Sequence, residues 1–277
     1  MEAGFHVRSN SFPSRPHPQA AYVDEQLCRL RSSSSESAST SSSSIGHRLD
    51  DLRDLHESLD QLLRLPVTQQ ALSREQNKNF IEQLLDGSLR ILDLCNMAKD
   101  SLSQTKECLM EIESILRRKR GDLTGEVKKY LASRRSIKKS LQKAVKSLKA
   151  YRNQYSSVDG SLSAFGEAEA LTVSLFHSLF SLVSESSSTP PSSGKWTLVS
   201  KLMNQKRVAC EGRAENEFAK IDSAFQTFIM EKKSEKWMKM EDVQSLERSA
   251  QDLEEGIESL FKSLMKYRFS LLNILGH

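Results

Sequence analysis

The fold is decided by the stretch VQSLERSAQDLEEGIESLFKSLMKYRFSLLNI, residues 243–274. Its apolar residues recur at alternating spacings of three and four over 32 residues, the period of an α-helix with one buried face. The stripe consists of Val243, Leu246, Ala250, Leu253, Ile257, Leu260, Leu264, Tyr267, Leu271 and Ile274. A stripe of this kind is typical of a seam for coiled-coil-like packing, so we expect it to be buried against other helices.

The same period recurs through most of the chain upstream. It predicts helices at 45–63, 77–119, 127–155, 162–183 and 196–228. Pro66 ends the first of these, and the pattern nowhere shows the alternation of a β-strand. Since the connections are short, we predict an all-α fold, an antiparallel bundle of about five to seven long amphipathic helices. A homodimer formed through the 243–274 seam remains an alternative.

The segment 162–183 differs from the other predicted helices. Its second half is apolar nearly all round, which predicts the central and most buried helix of the bundle. The apolar run 171–183 has 13 residues, too few to span a bilayer, which needs about 20.

The N-terminal 44 residues have a different composition from the rest. Val23, Leu27 and Leu30 mark a short amphipathic segment, and ten of the 13 residues in 32–44 are serine. Such a serine run cannot repay the entropy of ordering, so we predict a disordered linker there. We therefore divide the chain into a largely disordered region, 1–44, and a helical bundle domain, 45–277, with a flexible internal loop at 184–195.

No catalytic or metal-binding motif is present in the sequence. No two of the six histidines have H-x-x-x-H spacing, and phosphate-binding or nucleophile-elbow motifs are absent. We interpret His56 as a side chain at the edge of an apolar stripe, hydrogen-bonded or solvated, rather than a ligand. The cysteines (Cys28, Cys95, Cys108 and Cys210) are interpreted as buried free thiols of a reducing compartment. We predict no enzyme, no cofactor and no metal.

The strongest electrostatic feature is a basic stretch between Arg117 and Arg152. Fourteen cationic residues there face two acidic ones, a net charge of +12 in a chain whose total is +4. The candidate interaction surface consists of Arg117, Arg118, Lys119, Arg120, Lys128, Lys129, Arg135, Lys138, Lys139, Lys143, Lys146 and Lys149. Arg134 falls on the apolar face of the same predicted helix and is the exception in its register.

Three interpretations of this surface remain open. It pairs with acidic residues of the same bundle, it lies against anionic lipid headgroups, or it binds an acidic protein or nucleic acid. The acidic residues available within the chain are Glu241, Asp242, Glu247, Asp252, Glu254, Glu255 and Glu258. Nucleic acid is disfavoured because Tyr130, Tyr151 and Tyr155 fall on the apolar face, leaving no exposed aromatic rings among the charges.

Four short stretches resemble a plant-specific, Bypass-like family catalogued as a domain of unknown function. They are FHVRSNSFPSRPHP at 5–18, LDGSLRILD at 85–93, WTLVSKLM at 196–203 and YRFSLLNIL at 267–275. Together they span the chain nearly end to end in the expected order. The resemblance implies a helical plant protein similar to proteins linked to root and shoot development, and it carries no catalytic residues.

Two hypotheses of function follow. The first is a non-enzymatic interaction protein in plant developmental signalling, with an unknown protein partner. The second is a peripheral membrane protein that docks on anionic lipid through residues 117–152. We expect a cytoplasmic location, with peripheral membrane association under the second hypothesis. A plastid location is the lesser alternative, because Glu2, Asp24, Glu25 and Glu36 are unlike a transit peptide.

Overall fold

The computed structural model describes residues 17–36, 41–151, 162–185, 216–231 and 239–276 of the chain. These residues form eight α-helices, a short 3-10 helix at Glu75–Asn77 and no β-strand. The helices are α1 (Pro18–Glu36), α2 (Ser42–Leu63), α3 (Pro66–Leu72), α4 (Lys78–Arg118), α5 (Leu123–Tyr151), α6 (Ser163–Ser184), α7 (Glu217–Glu231) and α8 (Met240–Leu275). The all-α prediction is confirmed.

Helices α4 and α8 form the longest pair of the bundle and run antiparallel. With 41 and 36 residues, they extend about 62 Å and about 54 Å at 1.5 Å per residue. Their side chains meet in opposite order, since Lys99 pairs with Glu258 whereas Glu113 accepts a hydrogen bond from Gln244. All ten apolar residues of the 243–274 stripe are buried. The stripe is therefore covered by helices of its own chain, chiefly α4 and α2.

Helix α2 packs on α8 and runs in the same direction. Leu49 lies over Gly256, where an added Cβ would be 3.2 Å from Leu49 Cδ1. Further along both helices, Ser263 Oγ donates a hydrogen bond to Glu57 at 3.3 Å. The missing side chain at Gly256 thus allows the two helices to approach closely at one end of their contact. Pro66, which the sequence placed after α2, also begins α3, where its fixed φ suits the first turn.

Helix α1 packs along α2 and runs antiparallel to it. The Gln19 side chain donates to the backbone carbonyl of Ser58 at 3.2 Å, and Arg31 pairs with Glu167 of α6. Val23, Leu27 and Leu30 are buried, as the amphipathic segment predicts. The N-terminal region therefore contributes a 19-residue helix to the bundle.

The serine-rich linker predicted at 32–44 is wrong at both ends. Helix α1 continues to Glu36, and Ser32 Oγ donates to the carbonyl of Cys28 one turn earlier. Helix α2 begins at Ser42, because the Ser41 side chain accepts a hydrogen bond from the backbone N–H of Ser44 at 3.2 Å. Serine can thus cap or continue a helix where a neighbouring helix supplies packing. Residues 37–40 lie outside the described residues.

Helix α6 lies at the centre of the bundle, as predicted, and contacts α1, α2, α4, α5 and α7. Phe165, Phe176 and Phe180 are buried along it. Where α6 crosses α4, the Glu169 carboxylate occupies the space that a side chain at position 87 would need, so Gly87 permits this close contact. Helix α4 continues unbroken through Gly87.

His56 lies in the core rather than at the edge of its stripe. Its side chain is buried and its Nε2 is 3.0 Å from Thr172 Oγ1. Because Thr172 donates its hydroxyl proton to the carbonyl of Ala168, it accepts from His56. Nε2 therefore carries the proton, and burial lowers the pKa of His56 to about 4. The histidine is hydrogen-bonded, as predicted, but not solvated.

Two predicted helices extend into residues that the structure does not describe. Of the segment 196–228, the structure describes the end as α7, in which Phe218, Ile221 and Phe225 are buried. Residues 196–203 lie outside the described residues. Helix α5 begins at Leu123, four residues before the predicted start, and is described to Tyr151.

Candidate interaction surface on helix α5

Helix α5 begins after a tight turn that ends α4. Lys119 has a φ of 50° and Gly121 a φ of 129°, both in the left-handed region that reverses the chain. Asp122 then accepts a hydrogen bond from the backbone N–H of Gly125 at 2.9 Å, which caps the new helix. The turn leaves its four cations, Arg117, Arg118, Lys119 and Arg120, exposed.

The inner face of α5 packs against α4, α6 and α7. Its apolar residues lie at helical spacing, and those buried are Leu123, Val127, Tyr130, Leu131, Ile137, Leu141, Ala144 and Leu148. This packing fixes the rotation of α5 about its axis. The side chains on the opposite side of the helix must then point away from the bundle.

Arg134 lies on this inner face and is only 2% exposed. Its Nε is 3.1 Å from Asp222 Oδ1 and its Nη2 is 3.2 Å from Oδ2, so the guanidinium binds the carboxylate of α7 with two nitrogens. Nη2 also donates to the carbonyl of Val183, at the end of α6, at 2.7 Å. The guanidinium lies over the ring of Phe218, 5.3 Å from its centroid. One arginine thus joins α5, α6 and α7.

Two further side chains of α5 bind the same carboxylate. Tyr130 donates its hydroxyl proton to Asp222 Oδ1 at 2.9 Å, and Lys138 Nζ is 2.7 Å from Oδ2. We call Tyr130, Arg134, Lys138 and Asp222 the buried ion cluster. Burial acts to raise the pKa of Asp222, but the adjacent charges of Arg134 and Lys138 outweigh it, so this pKa is lowered. Burial raises the pKa of Tyr130 well above its ordinary value.

Lys138 therefore does not belong to the predicted interaction surface. Its side chain is 14% exposed and engaged with Asp222. The reason is its position on the flank of α5, where α7 supplies an acid that sequence spacing does not reveal. Two other predicted members have acidic partners in their own helices, since Lys129 pairs with Glu126 and Arg117 with Glu113.

Five cations of α5 remain exposed, and within the described residues they form no ion pair. They are Lys128, Arg135, Lys139, Lys143 and Lys146, and we call them the basic row. At 100° per residue, Lys128, Arg135, Lys139 and Lys146 lie within about 20° of one line along the helix, and Lys143 lies about 60° from it. The line from Lys128 to Lys146 is about 27 Å long. The Lys149 side chain lies outside the described residues.

The acidic residues of α8 pair elsewhere in the bundle. Within the described residues, Glu258 pairs with Lys99 and Glu254 with Lys106, both lysines of α4. A third acid, Asp242, pairs with Lys220 of α7 at 3.0 Å. The interpretation in which these acids neutralise the basic stretch is therefore wrong for these three. Among the described residues, the acid of another helix that forms ion pairs with α5 is Asp222 of α7, and the sequence signal for it was the arginine on the apolar face of α5.

Other reactive groups of the described residues are dispersed through the fold. No group of three or more His, Cys, Asp or Glu in these segments is arranged to hold a metal ion. Cys28, Cys95 and Cys108 are free thiols. Cys95 is buried, and burial raises its pKa to about 12. Cys28 is exposed, so the prediction of a buried thiol is wrong for this residue. Cys210 lies outside the described residues. No described helix is long and apolar enough to cross a bilayer.

A small cleft opens at the end of α2 and α8. It has a volume of about 140 Å³ and is lined by Leu63, Arg64, Gln69, Phe269, Ser270 and Asn273. Below it, Ser270 donates a hydrogen bond to Asp60, which also pairs with Arg64 at 2.9 Å. The ionisable groups of this cleft are therefore occupied with one another.

Comparison with known proteins gives one family match. The model of a family described as Protein BPS1 matches residues 48–274, from the first turns of α2 to the last turn of α8. The matched range contains the whole basic row and the buried ion cluster. No curated protein and no solved structure gives a significant match.

Proposed function

The chain belongs to the BPS1 family, and we propose that it acts in plant development as a non-enzymatic interaction protein. Membership of this family suggests the developmental role. The binding surface is the basic row of α5. The partner carries negative charge, and the bundle serves as the rigid support that holds the row in place.

One observation carries this proposal. The row places five cations on an outward face of a helix whose other face is fixed by packing. Elsewhere in the bundle, cations such as Lys99, Lys106 and Arg134 have acidic partners on neighbouring helices. Like charges along one helix face repel each other and destabilise it slightly. A surface whose cations form no ion pair among the described residues is suited to an external anion.

The buried polar groups support binding rather than catalysis. His56 is hydrogen-bonded to Thr172, and its neutral form is favoured by burial. Asp222 is held between Arg134 and Lys138. Each of these groups has a structural partner, and none of them lines the cleft near Phe269. We therefore assign His56, Asp222 and their partners to the stability of the fold.

The experiment uses plants that lack the gene, complemented with three forms of the protein. In the row variant, Lys128, Lys139, Lys143 and Lys146 are each replaced by Gln. In the control variant, the exposed residues Lys78, Lys239, Lys262 and Lys266 are replaced by Gln, an equal change in charge at other sites. We expect the wild type and the control variant to restore root and shoot growth and the row variant to fail.

Protein levels are compared by immunoblot, because a variant that does not accumulate would fail for another reason. Full rescue by an equally abundant row variant would exclude the basic row as the functional surface. Failure of both variants would mean that total charge, and not the position of the row, matters.

A further inference from the structure

We propose that the basic row docks the protein on an anionic membrane surface, with α5 lying along the layer of lipid headgroups. The inference rests on the proposed function, since it names the partner of the same surface. We favour a lipid surface over an acidic protein because of the shape and composition of the basic row.

The shape of the row fits a flat partner. Four of its members lie within about 20° of one line over about 27 Å, on the side of α5 that faces away from the bundle. Such a line touches a plane along its whole length, whereas a groove would be needed to enclose a peptide. Because the opposite face of α5 is packed on α4, α6 and α7, the bundle would remain above the membrane.

The residues between the cations are small or polar. The exposed positions nearest the row include Ala132, Ser136 and Gln142. Protein interfaces depend on a few aromatic or arginine anchors in desolvated pockets, and binding of single-stranded nucleic acid depends on stacked aromatic rings. In the described part of α5, Tyr130 is buried and no aromatic ring is exposed. The face offers four lysines and one exposed arginine, Arg135, and no exposed aromatic ring in the described part of α5, which suits a diffuse anionic surface.

The row is also mostly lysine. Four of its five members are lysines, compact charges on flexible stems that can each find a headgroup without fixed geometry. The acids of this segment of the chain lie at its start, where Asp122 caps α5 and Glu126 pairs with Lys129. Asp222 of α7 contacts α5 further along, but from the inner side. The half of the helix from Arg135 to Lys146 carries no acid. We therefore place the strongest attraction in that half.

Vesicle co-sedimentation at physiological salt tests the proposal with the full chain. The probes are vesicles of phosphatidylcholine alone and vesicles of phosphatidylcholine mixed with phosphatidylserine. We expect the wild type to bind only the mixed vesicles and the row variant to show a partition coefficient lower by about a hundredfold or more. The control variant should retain most of the binding, and added salt should weaken it, because the attraction is electrostatic. Far-ultraviolet circular dichroism verifies that both variants remain helical.

Three results would overturn the inference. They are binding to neither kind of vesicle, equal binding to both kinds, and equal loss of binding in the row and control variants. A parallel measurement with soluble polyglutamate identifies an acidic polypeptide as the partner if the row binds it and does not bind vesicles. If vesicles are not bound but the row variant still fails in plants, the proposed function stands and only the lipid assignment fails.

Discussion

Helix α5 and helix α8 are both long, amphipathic and rich in charge, but their charged side chains have different surroundings. Acids of α8 pair with lysines of α4, as in the pairs of Glu258 with Lys99 and Glu254 with Lys106. The charged residues of α5 separate into an inner part held by Asp222 and an outer row that forms no ion pair in the part of the chain that the structure describes. A similar pattern along the chain thus yields one helix whose charges pair within the fold and another whose outer charges, in our proposal, bind an anionic partner.

The largest effect should come from the inner side of α5. Replacement Asp222→Ala leaves Arg134 buried without its counter-ion, which typically costs about 3–5 kcal/mol. The matched change Asp242→Ala removes the exposed pair with Lys220 and should cost about 1 kcal/mol or less. Urea unfolding of the two variants measures the difference in free energy of unfolding.

A double replacement sharpens this result. Arg134→Met with Asp222→Leu removes both charges, and it should be less destabilising than Asp222→Ala because Arg134 no longer stays buried without its counter-ion, whereas Lys138 loses its partner in both variants. If Asp222→Ala and Asp242→Ala lost equal stability, the buried ion cluster would not be what attaches α5 to α7.

A second comparison uses the dependence of stability on pH. His56, which packs against Tyr267 of α8 at 5.6 Å between ring centroids, has its pKa lowered from 6.5 to about 4. The unfolded chain then binds the proton more readily, so stability should fall as the pH decreases from about 6.5 towards 4, by about 3 kcal/mol. The pKa of Asp222 is lowered from 3.8, so its contribution is lost only at lower pH, below that value.

The free energy of unfolding, measured by urea denaturation across pH 4 to 7, tests the first of these windows. Replacement His56→Gln should flatten the pH dependence there, while Asp222→Asn should leave it unchanged. A steep dependence that persists in the His56→Gln variant would assign the titration to another group.

The smallest effect concerns the outer charges. Lys99 lowers the pKa of Glu258 through its hydrogen bond and its charge. Replacement Glu258→Gln removes this ion pair and should lower the free energy of unfolding by up to about 1 kcal/mol in low salt. Replacement Lys139→Gln on α5 should cost no stability, because Lys139 forms no ion pair with a described residue and repulsion within the row decreases. Thermal unfolding in low and high salt compares them, and the difference should shrink in high salt. A clear loss in the Lys139→Gln variant would reveal an intramolecular role for the row.

Most of the fold was predictable from sequence because the helices of this chain carry a strong apolar period. The 243–274 stripe is buried in full, and α4 differs from the predicted 77–119 by one residue at each end. The disorder predicted from the serine run was wrong at both ends of the run. Composition alone cannot show that Val23, Leu27 and Leu30 pack α1 against the bundle and so support its last turn. The prediction that His56 lies at the edge of its apolar stripe was wrong for a similar reason, because its partner Thr172 comes from a distant helix.

The candidate surface was predictable in part. Charge density alone located the stretch 117–152, and helical spacing placed Lys139 and Lys146 on its outer face. What could not be predicted was which of these cations meets an acid, because Asp222 lies 88 residues from Arg134 along the chain. The arginine on the apolar face was the available signal, since a buried charge requires a partner somewhere.

The pairing of α4 with α8 also has a consequence for synthesis of the protein on the ribosome. Lys99 and Glu258 are separated by 159 positions, and α8 is made after every other described helix. Until it emerges, the apolar faces of α2 and α4 that it covers have no partner, so the nascent chain carries a long uncovered groove. Chains that stop before Met240 would keep that groove permanently, and such uncovered apolar surface is what chaperones bind and what aggregates.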